Sequence, residues 1–291
     1  MSPPTVTLSS DELTAGFAPG VGMVGCSLRH RGEELLGQRG GLEKYAETGS
    51  TFGIPFLHPW ANRLDRDVGS SLVRRDENGL PIHGLLTASP FWELTSAEPA
   101  RLSARLDFAA HEELMSGFPF AHELRVDAEL AGARLTVRTT VHASGDKPVP
   151  IAFGWHPYLT LPGVPRADWR VELPVRRHAE LDERGIPTGR SEPIAIEPGP
   201  LGDRRYDDLF PELEEPPVFA LEGGGRRIEL EFGEGYPIAQ VYAPPGQDFI
   251  CIEPMTAPTN ALVSGDGLRR IDPGETFGAS FSVSVSAESR S

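Results

Sequence analysis

Residues 275–287, "ETFGASFSVSVSA", alternate strictly: Phe277, Ala279, Phe281, Val283 and Val285 fall on one side of an extended chain, with Gly278, Ser280, Ser282 and Ser284 on the other. Side chains of a strand point to its two faces in turn, so the segment reads as a strand with one face on a core and one face wet. The pattern recurs upstream. "ELRVDAEL" (123–130) places Leu124, Val126, Ala128 and Leu130 together, and "RLTVRTTVHA" (134–143) does the same with Leu135, Val137, Thr139 and Val141. The "AGA" between them predicts a hairpin. "RLSARLDFAA" (101–110) and "RRIELEFGEG" (226–235) add two more alternating segments, and "EGGGRR" (222–227) reads as a hairpin tip.

No window keeps a helical apolar stripe, and 28 Pro with 32 Gly would interrupt one. Short strands separated by frequent breakers predict an all-β fold, a large antiparallel β-sandwich, formed by residues 1–291 as a single domain. The breaker-rich segments 183–200 and 211–219 are expected to be long surface loops.

A net charge of −15 argues against nucleic acid, whose phosphates demand a basic surface, and against an anionic membrane. It leaves a small-molecule ligand open, since net charge does not describe a pocket. Lys44 and Lys147 are the only lysines, so arginine carries nearly all the positive charge. The pairs Arg74-Arg75, Arg176-Arg177 and Arg269-Arg270 are accordingly expected to be solvated surface pairs. Cys26 and Cys251 lack metal-ligand spacing and are expected to be reduced thiols. The N-terminus has neither a basic n-region nor an apolar segment, so the expected location is the cytoplasm.

Five polar clusters interrupt the strand pattern. They are "GIPFLHPWANRL" (53–64), with His58, Trp60, Asn62 and Arg63; "LPIHGLL" (80–86), with His83; "GWHPYL" (154–159), with His156; "RRYDDLFPEL" (204–213), with Asp207 and Asp208; and "DFICIEPMTAPTNAL" (248–262), with Glu253. If 249–253 is extended, Phe249, Cys251 and Glu253 share one face and Ile250 and Ile252 the other. A strand apolar on both faces is central in its sheet. Burial of the carboxylate that emerges from it would raise its pKa and make it a better base. His156 precedes Pro157, which biases it to the extended region and ends a strand. For each group the residues leave two readings: packed or ion-paired, or titrating and aimed into a pocket. No pair of histidines has HxH or HExxH spacing, so no metal site is expected. No GxSxG elbow is present for a serine hydrolase.

Taken in order, "LHPWANRL", "IHG", "GWHPYL", "YDDLF" and "CIEPMTAPTNAL", with "IDPGETF" after them, resemble the aldose 1-epimerase (galactose mutarotase-like) family, in a bacterial branch, over about residues 20–285. The resemblance implies the large β-sandwich of galactose mutarotases and a cofactor-free interconversion of aldose anomers. It implies Glu253 as the general base on the sugar's O1 hydroxyl and His156 as the general acid on the ring oxygen. His83 would help to polarise that oxygen, and Arg63, Asn62 and Asp207 would hold sugar hydroxyls, with Asp208 the adjacent competitor for that role. Trp60 or Trp155 is a candidate to stack on the sugar's apolar face. The partner is thus a small-molecule sugar, the chain a monomer or homodimer. Alternatives are a non-catalytic sugar-binding or sensor protein on the same sandwich, an isomerase or lyase that takes a proton from carbon, and a mutarotase of hexose phosphates.

Overall fold

The structure, a computed structural model, describes residues 2–287. The opening segment is the strand Thr276–Ala287, central in a nine-stranded antiparallel sheet. Its Phe277, Ala279, Phe281, Val283 and Val285 are buried, as the alternation requires. On one side it pairs with Arg134–Ala143, which continues to His122–Ala131 and Arg101–Asp107 and ends at the edge strand Glu93–Glu98. The expected hairpin is present, with Ala131 opposite Arg134. On the other side lies Arg226–Phe232, joined to Val218–Gly223 through Gly224 and Gly225. Both glycines have positive φ (58° and 73°), as a two-residue primed turn demands.

A second sheet packs on the first. Its order is Tyr206–Phe210, Ile238–Ala243, Ile250–Met255, Gly154–Trp155, Phe56–Leu57, with Tyr158–Leu159 also on the Ile250–Met255 strand. Between the sheets, Trp155 meets Phe281 (ring centroids 5.8 Å) and Phe153 meets Phe277 (6.0 Å). The Trp155 indole N–H donates across the core to Thr139 Oγ1 at 3.1 Å, so the one polar edge of that ring is satisfied. The strand Ile250–Met255 is buried on both faces, as its composition predicts. This is the large β-sandwich expected from the sequence, and among the described residues no helix is long and apolar enough to cross a membrane.

Two expectations are corrected. Residues 183–200 are not simply a loop: Pro187–Pro193 is a strand antiparallel to Val175–Leu181, and Gly199–Pro200 forms the far edge of the large sheet. Likewise Glu212–Leu213 is a strand within the second segment, and Val218–Gly223 begins at its end. The strand Pro187–Pro193 carries no buried residue, so it has no alternation to read; its backbone ladder and polar pairs such as Arg190–Glu180 define it. A helix also forms at Gly41–Thr48, where only Tyr45 is buried and no repeating stripe exists.

Candidate active site

The smaller sheet's outer face forms the floor of a cleft of about 350 Å³. Register places the floor residues. Gly154 pairs with Met255 and Tyr158 with Cys251, so His156, midway between, stands opposite Glu253. Pro157 lacks an N–H and interrupts the ladder there. The His156 N–H turns instead to Pro55 O at 3.1 Å. On the other flank, Gln240 pairs with Glu253, and Tyr242 with both Cys251 and Asp207. From these strands Asp207, Tyr242, Glu253 and His156 reach the cleft, while Gln240 lies buried beside Glu253.

Loops make the walls. The 58–63 and 82–84 segments are zipped by bridges between His58 and Gly84 and between Arg63 and Ile82. The His83 N–H donates to Asn62 O at 3.0 Å. The 256–260 segment holds the same wall: Asn260 N–H donates to Arg63 O at 3.1 Å, and Asn260 Oδ1 accepts from Asp65 N–H at 2.8 Å. His83 and Asn62 both have positive φ, 63° and 59°. Such backbone is uncommon outside glycine and is tolerated best by Asn, Asp and His.

His156 Nε2 lies 3.1 Å from Glu253 Oε1, and both side chains are almost fully buried. Burial holds the Glu253 carboxyl well above the usual carboxylate range; the nearby Asp207 charge adds to this and Arg63 opposes it. Burial also pulls His156 below the usual imidazole range, with Arg39 adding to the effect. His83, whose ring centroid is 5.3 Å from that of His156, is likewise pulled down by burial. Glu253 Oε2, His156 Nδ1, His83 Nδ1 and Gln240 Oε1 have no hydrogen-bond partner in the protein. Buried polar atoms left unsatisfied cost about 1–3 kcal/mol each, so a cluster of them marks where a polar ligand belongs.

Arg63 is anchored by Asp76 at 2.7 Å and donates to Asn62 Oδ1 at 3.2 Å. Asp207 lines the cleft and accepts from Gln240 Nε2 at 2.9 Å. Asp208 is turned away to His178, 2.8 Å distant. Of the residues singled out in the sequence, Glu253, His156, Arg63, His83, Asn62 and Asp207 therefore meet in one cleft. Trp60 does not: it is 1% exposed, packed in the core, and does not line the cleft. The alternation that puts Ala61 in the cluster with Leu57 and Met255 sends Trp60 to the opposite face. Trp155 is also a core residue. His58 takes the packed reading: it lies in an aromatic cluster, its Nε2 2.8 Å from His122 Nε2.

Cleft residues with no role in the sequence expectation include Tyr242, Tyr158, Arg39 and Arg74, and Gln240 lies buried behind Asp207. Gln240 and Tyr242 carried a signal, being the polar positions of one face in "IAQVYA" (238–243). Arg74 was expected to be solvated beside Arg75, but it is half-buried in the cleft wall, while Arg75 is exposed and pairs with Asp67 at 2.8 Å.

A buried carboxyl–imidazole pair thus stands at the floor of a polar cleft on the large β-sandwich that the resemblance to the aldose 1-epimerase family implies. The family comparison agrees. Residues 7–284 match the model of the aldose 1-epimerase family, and the chain belongs to that family. Crystal structures with the same fold include a protein of Synechocystis sp. PCC 6803 (24% identity, 99% of this chain and 97% of that one, TM-score 0.81). A galactose mutarotase-like protein of Clostridium acetobutylicum is 19% identical over 97% of this chain and 95% of that one (TM-score 0.83). Galactose 1-epimerase of Lactobacillus acidophilus NCFM is 16% identical over 97% and 93% (TM-score 0.73). At these identities the likeness establishes the fold. No curated protein matches the chain.

Proposed function

We propose that the protein is an aldose 1-epimerase that opens and recloses the hemiacetal ring of a sugar, with Glu253 as base and His156 as acid. The observation that carries this reading is the 3.1 Å contact between the two groups. In a cyclic aldose the hydroxyl oxygen O1 and the ring oxygen O5 are bonded to the same carbon. A base and an acid that serve both at once must stand side by side, as these do. A glycosidase's two carboxylates instead stand about 5–9.5 Å apart.

Glu253 removes the proton of O1; the O1 electrons form the C1 carbonyl, the C1–O5 bond breaks, and O5 takes the proton of His156 Nε2. After rotation about C1–C2, His156 recovers the O5 proton, O5 adds to the other face of C1, and the carbonyl oxygen takes the proton held by Glu253. Atoms and charge balance over the cycle. The raised Glu253 pKa makes its carboxylate a stronger base and the lowered His156 pKa makes its imidazolium a stronger acid; because burial disfavours both charged forms, the reactive ion pair depends on their 3.1 Å contact. His83, Asn62, Arg63 and Asp207 have the donors and acceptors to hold the hydroxyls.

The test is polarimetry on freshly dissolved α-D-glucose and α-D-galactose, with wild type beside Glu253→Gln. Acceleration by wild type that is lost in the variant supports the reading. Equal acceleration by both removes Glu253 from the mechanism.

A further inference from the structure

A catalytic histidine is usually oriented through its second ring nitrogen, which donates to a carbonyl or carboxylate and so fixes both the tautomer and the ring plane. His156 lacks that device. Its Nε2 faces Glu253, while Nδ1 has no hydrogen-bond partner among the described residues. What meets the ring instead is an aromatic face. Tyr158 stacks on it with centroids 4.6 Å apart and planes 11° from parallel, and His83 stands edge-on at 5.3 Å and 84°.

Tyr158 is itself held from several sides. It is 2% exposed, its backbone is in register with Cys251, and its ring meets that of Phe249 at 5.0 Å and 64°. Its hydroxyl accepts from Arg39 Nη1 at 3.1 Å and lies 2.7 Å from Thr51 Oγ1. Arg39 Nη1 also donates to Thr51 O at 2.9 Å, so the three residues form one ring of contacts. Arg39 does this from a φ of 46°, left-handed backbone that residues other than glycine seldom adopt. Such backbone persists only where the surroundings impose it, and it clusters at functional sites. Two loop residues thus converge on a tyrosine that offers a ligand almost no surface.

We propose that Tyr158 is the positioning residue for His156: its stacked face sets the plane in which the imidazole meets the sugar's ring oxygen, and Arg39 and Thr51 anchor that face. The acid role rests on the mutarotase reading; the orientation of the ring does not. An aromatic face also attracts a cation within about 6 Å of its centre, so the stack favours the imidazolium over the neutral ring. Among the described residues, the titratable and charged groups that face His156 are Glu253, His83, Tyr158, Tyr242 and Arg39. Of these, Arg39 opposes the proton that Tyr158 and Glu253 favour.

The experiment compares wild type with Tyr158→Phe and Tyr158→Leu, each checked for cooperative thermal unfolding, with Tyr158→Met in place of the leucine variant if that chain does not fold. Anomer exchange of α-D-glucose and α-D-galactose, followed by NMR, gives kcat and KM. Long-range proton–nitrogen correlation NMR of the sugar-free full chain gives the tautomer of the His156 ring, assigned by the signals that His156→Asn lacks. Tyr158→Phe keeps the stacked face, so kcat should stay within about threefold of wild type, whereas Tyr158→Leu should lose about tenfold to a hundredfold in kcat with KM nearly unchanged, as misplacing a reacting group does. In wild type and Tyr158→Phe the ring proton should reside on Nε2, where Glu253 accepts it; without the stack the ring turns and the two tautomers mix. Equal losses in both variants, a loss carried by KM, or a folded Tyr158→Leu with wild-type kcat and an unchanged ring overturns the proposal. A ring that changes only in Tyr158→Leu, while wild type exchanges neither sugar, keeps the positioning role and counts against the mutarotase reading alone.

Discussion

At the scale of single residues, Glu253 and His156 depend on each other's geometry more than on their individual positions. In the proposed mechanism the raised pKa makes the Glu253 carboxylate a stronger proton acceptor, and His156, 3.1 Å away, is the matching donor. Replacing Glu253 by Gln keeps the volume and removes the proposed base. We expect kcat for anomerisation to fall by about 10²–10⁴-fold, with a smaller change in KM, read by polarimetry or NMR exchange. His156→Asn should fall in the same range. Gln240 acts one step back: its amide N–H is the donor that stabilises the Asp207 carboxylate, which burial has already raised in pKa. Gln240→Leu should raise the Asp207 pKa further and weaken sugar binding. The check is a KM that rises more than kcat falls, with its acid limb displaced to higher pH. These assignments differ in how they could be read from sequence. Glu253 and His156 interrupt apolar runs and announce themselves, whereas Arg39 sits in an unpatterned loop, and only the folded chain brings it to Tyr158.

At the scale of elements, the strands are visible in sequence wherever one face is buried and the other is wet. Thr276–Ala287 and the 122–143 hairpin are legible for that reason, and Pro187–Pro193, which buries nothing, is not. The pairing of distant strands is also hidden, because alternation states which face is apolar but not which neighbour covers it. So the register that sets His156 opposite Glu253 had to come from the structure. The wall loops are tighter still. Gly84 has φ +74°, and a Cβ there would lie 2.1 Å from His58 O, inside any permitted contact. The backbone of "IHG" passes that close because His58 and Gly84 form a bridge, and this holds His83 over the cleft. Gly84→Ala must therefore open the bridge. We expect a loss of about 2 kcal/mol or more in urea unfolding, together with a fall in activity as His83 moves. Retention of both stability and activity would show that His83 does not depend on this contact.

At the scale of the whole molecule, burial of ionisable groups couples the fold to pH. The His58–His122 pair is the clearest case. His122 Nδ1 faces Phe120 O at 2.7 Å, so it carries the hydrogen, and His122 Nε2 must accept from His58 Nε2–H at 2.8 Å. A further proton on His122 would set two N–H groups against each other inside a cage of Phe56, Phe108 and Phe118. Burial accordingly pulls His122 down to about 4, and His58 well below the usual imidazole range. In the unfolded chain both titrate near 6.5, as an ordinary imidazole does. Between that value and the folded one, the unfolded chain binds protons that the native state refuses, so stability falls as pH drops and levels off below about 4. For His122 alone the loss is on the order of 3 kcal/mol. Glu253 acts oppositely. Its raised pKa contributes stability that is fully present at low pH and is lost as pH rises from the unfolded carboxyl value through the folded one. His30, His83 and His156 are pulled down as well, so the histidines outnumber the raised carboxyls of Glu253 and Asp207. The balance predicts that the urea midpoint decreases steadily from pH 7 to pH 4.5. It predicts also that the double substitution His58→Leu with His122→Leu flattens this slope, because exchanging both partners for apolar groups leaves neither nitrogen to titrate nor one unpaired against the other. A midpoint independent of pH in the wild type, or a slope unchanged in the double variant, would show that the pair is not what ties this fold to pH.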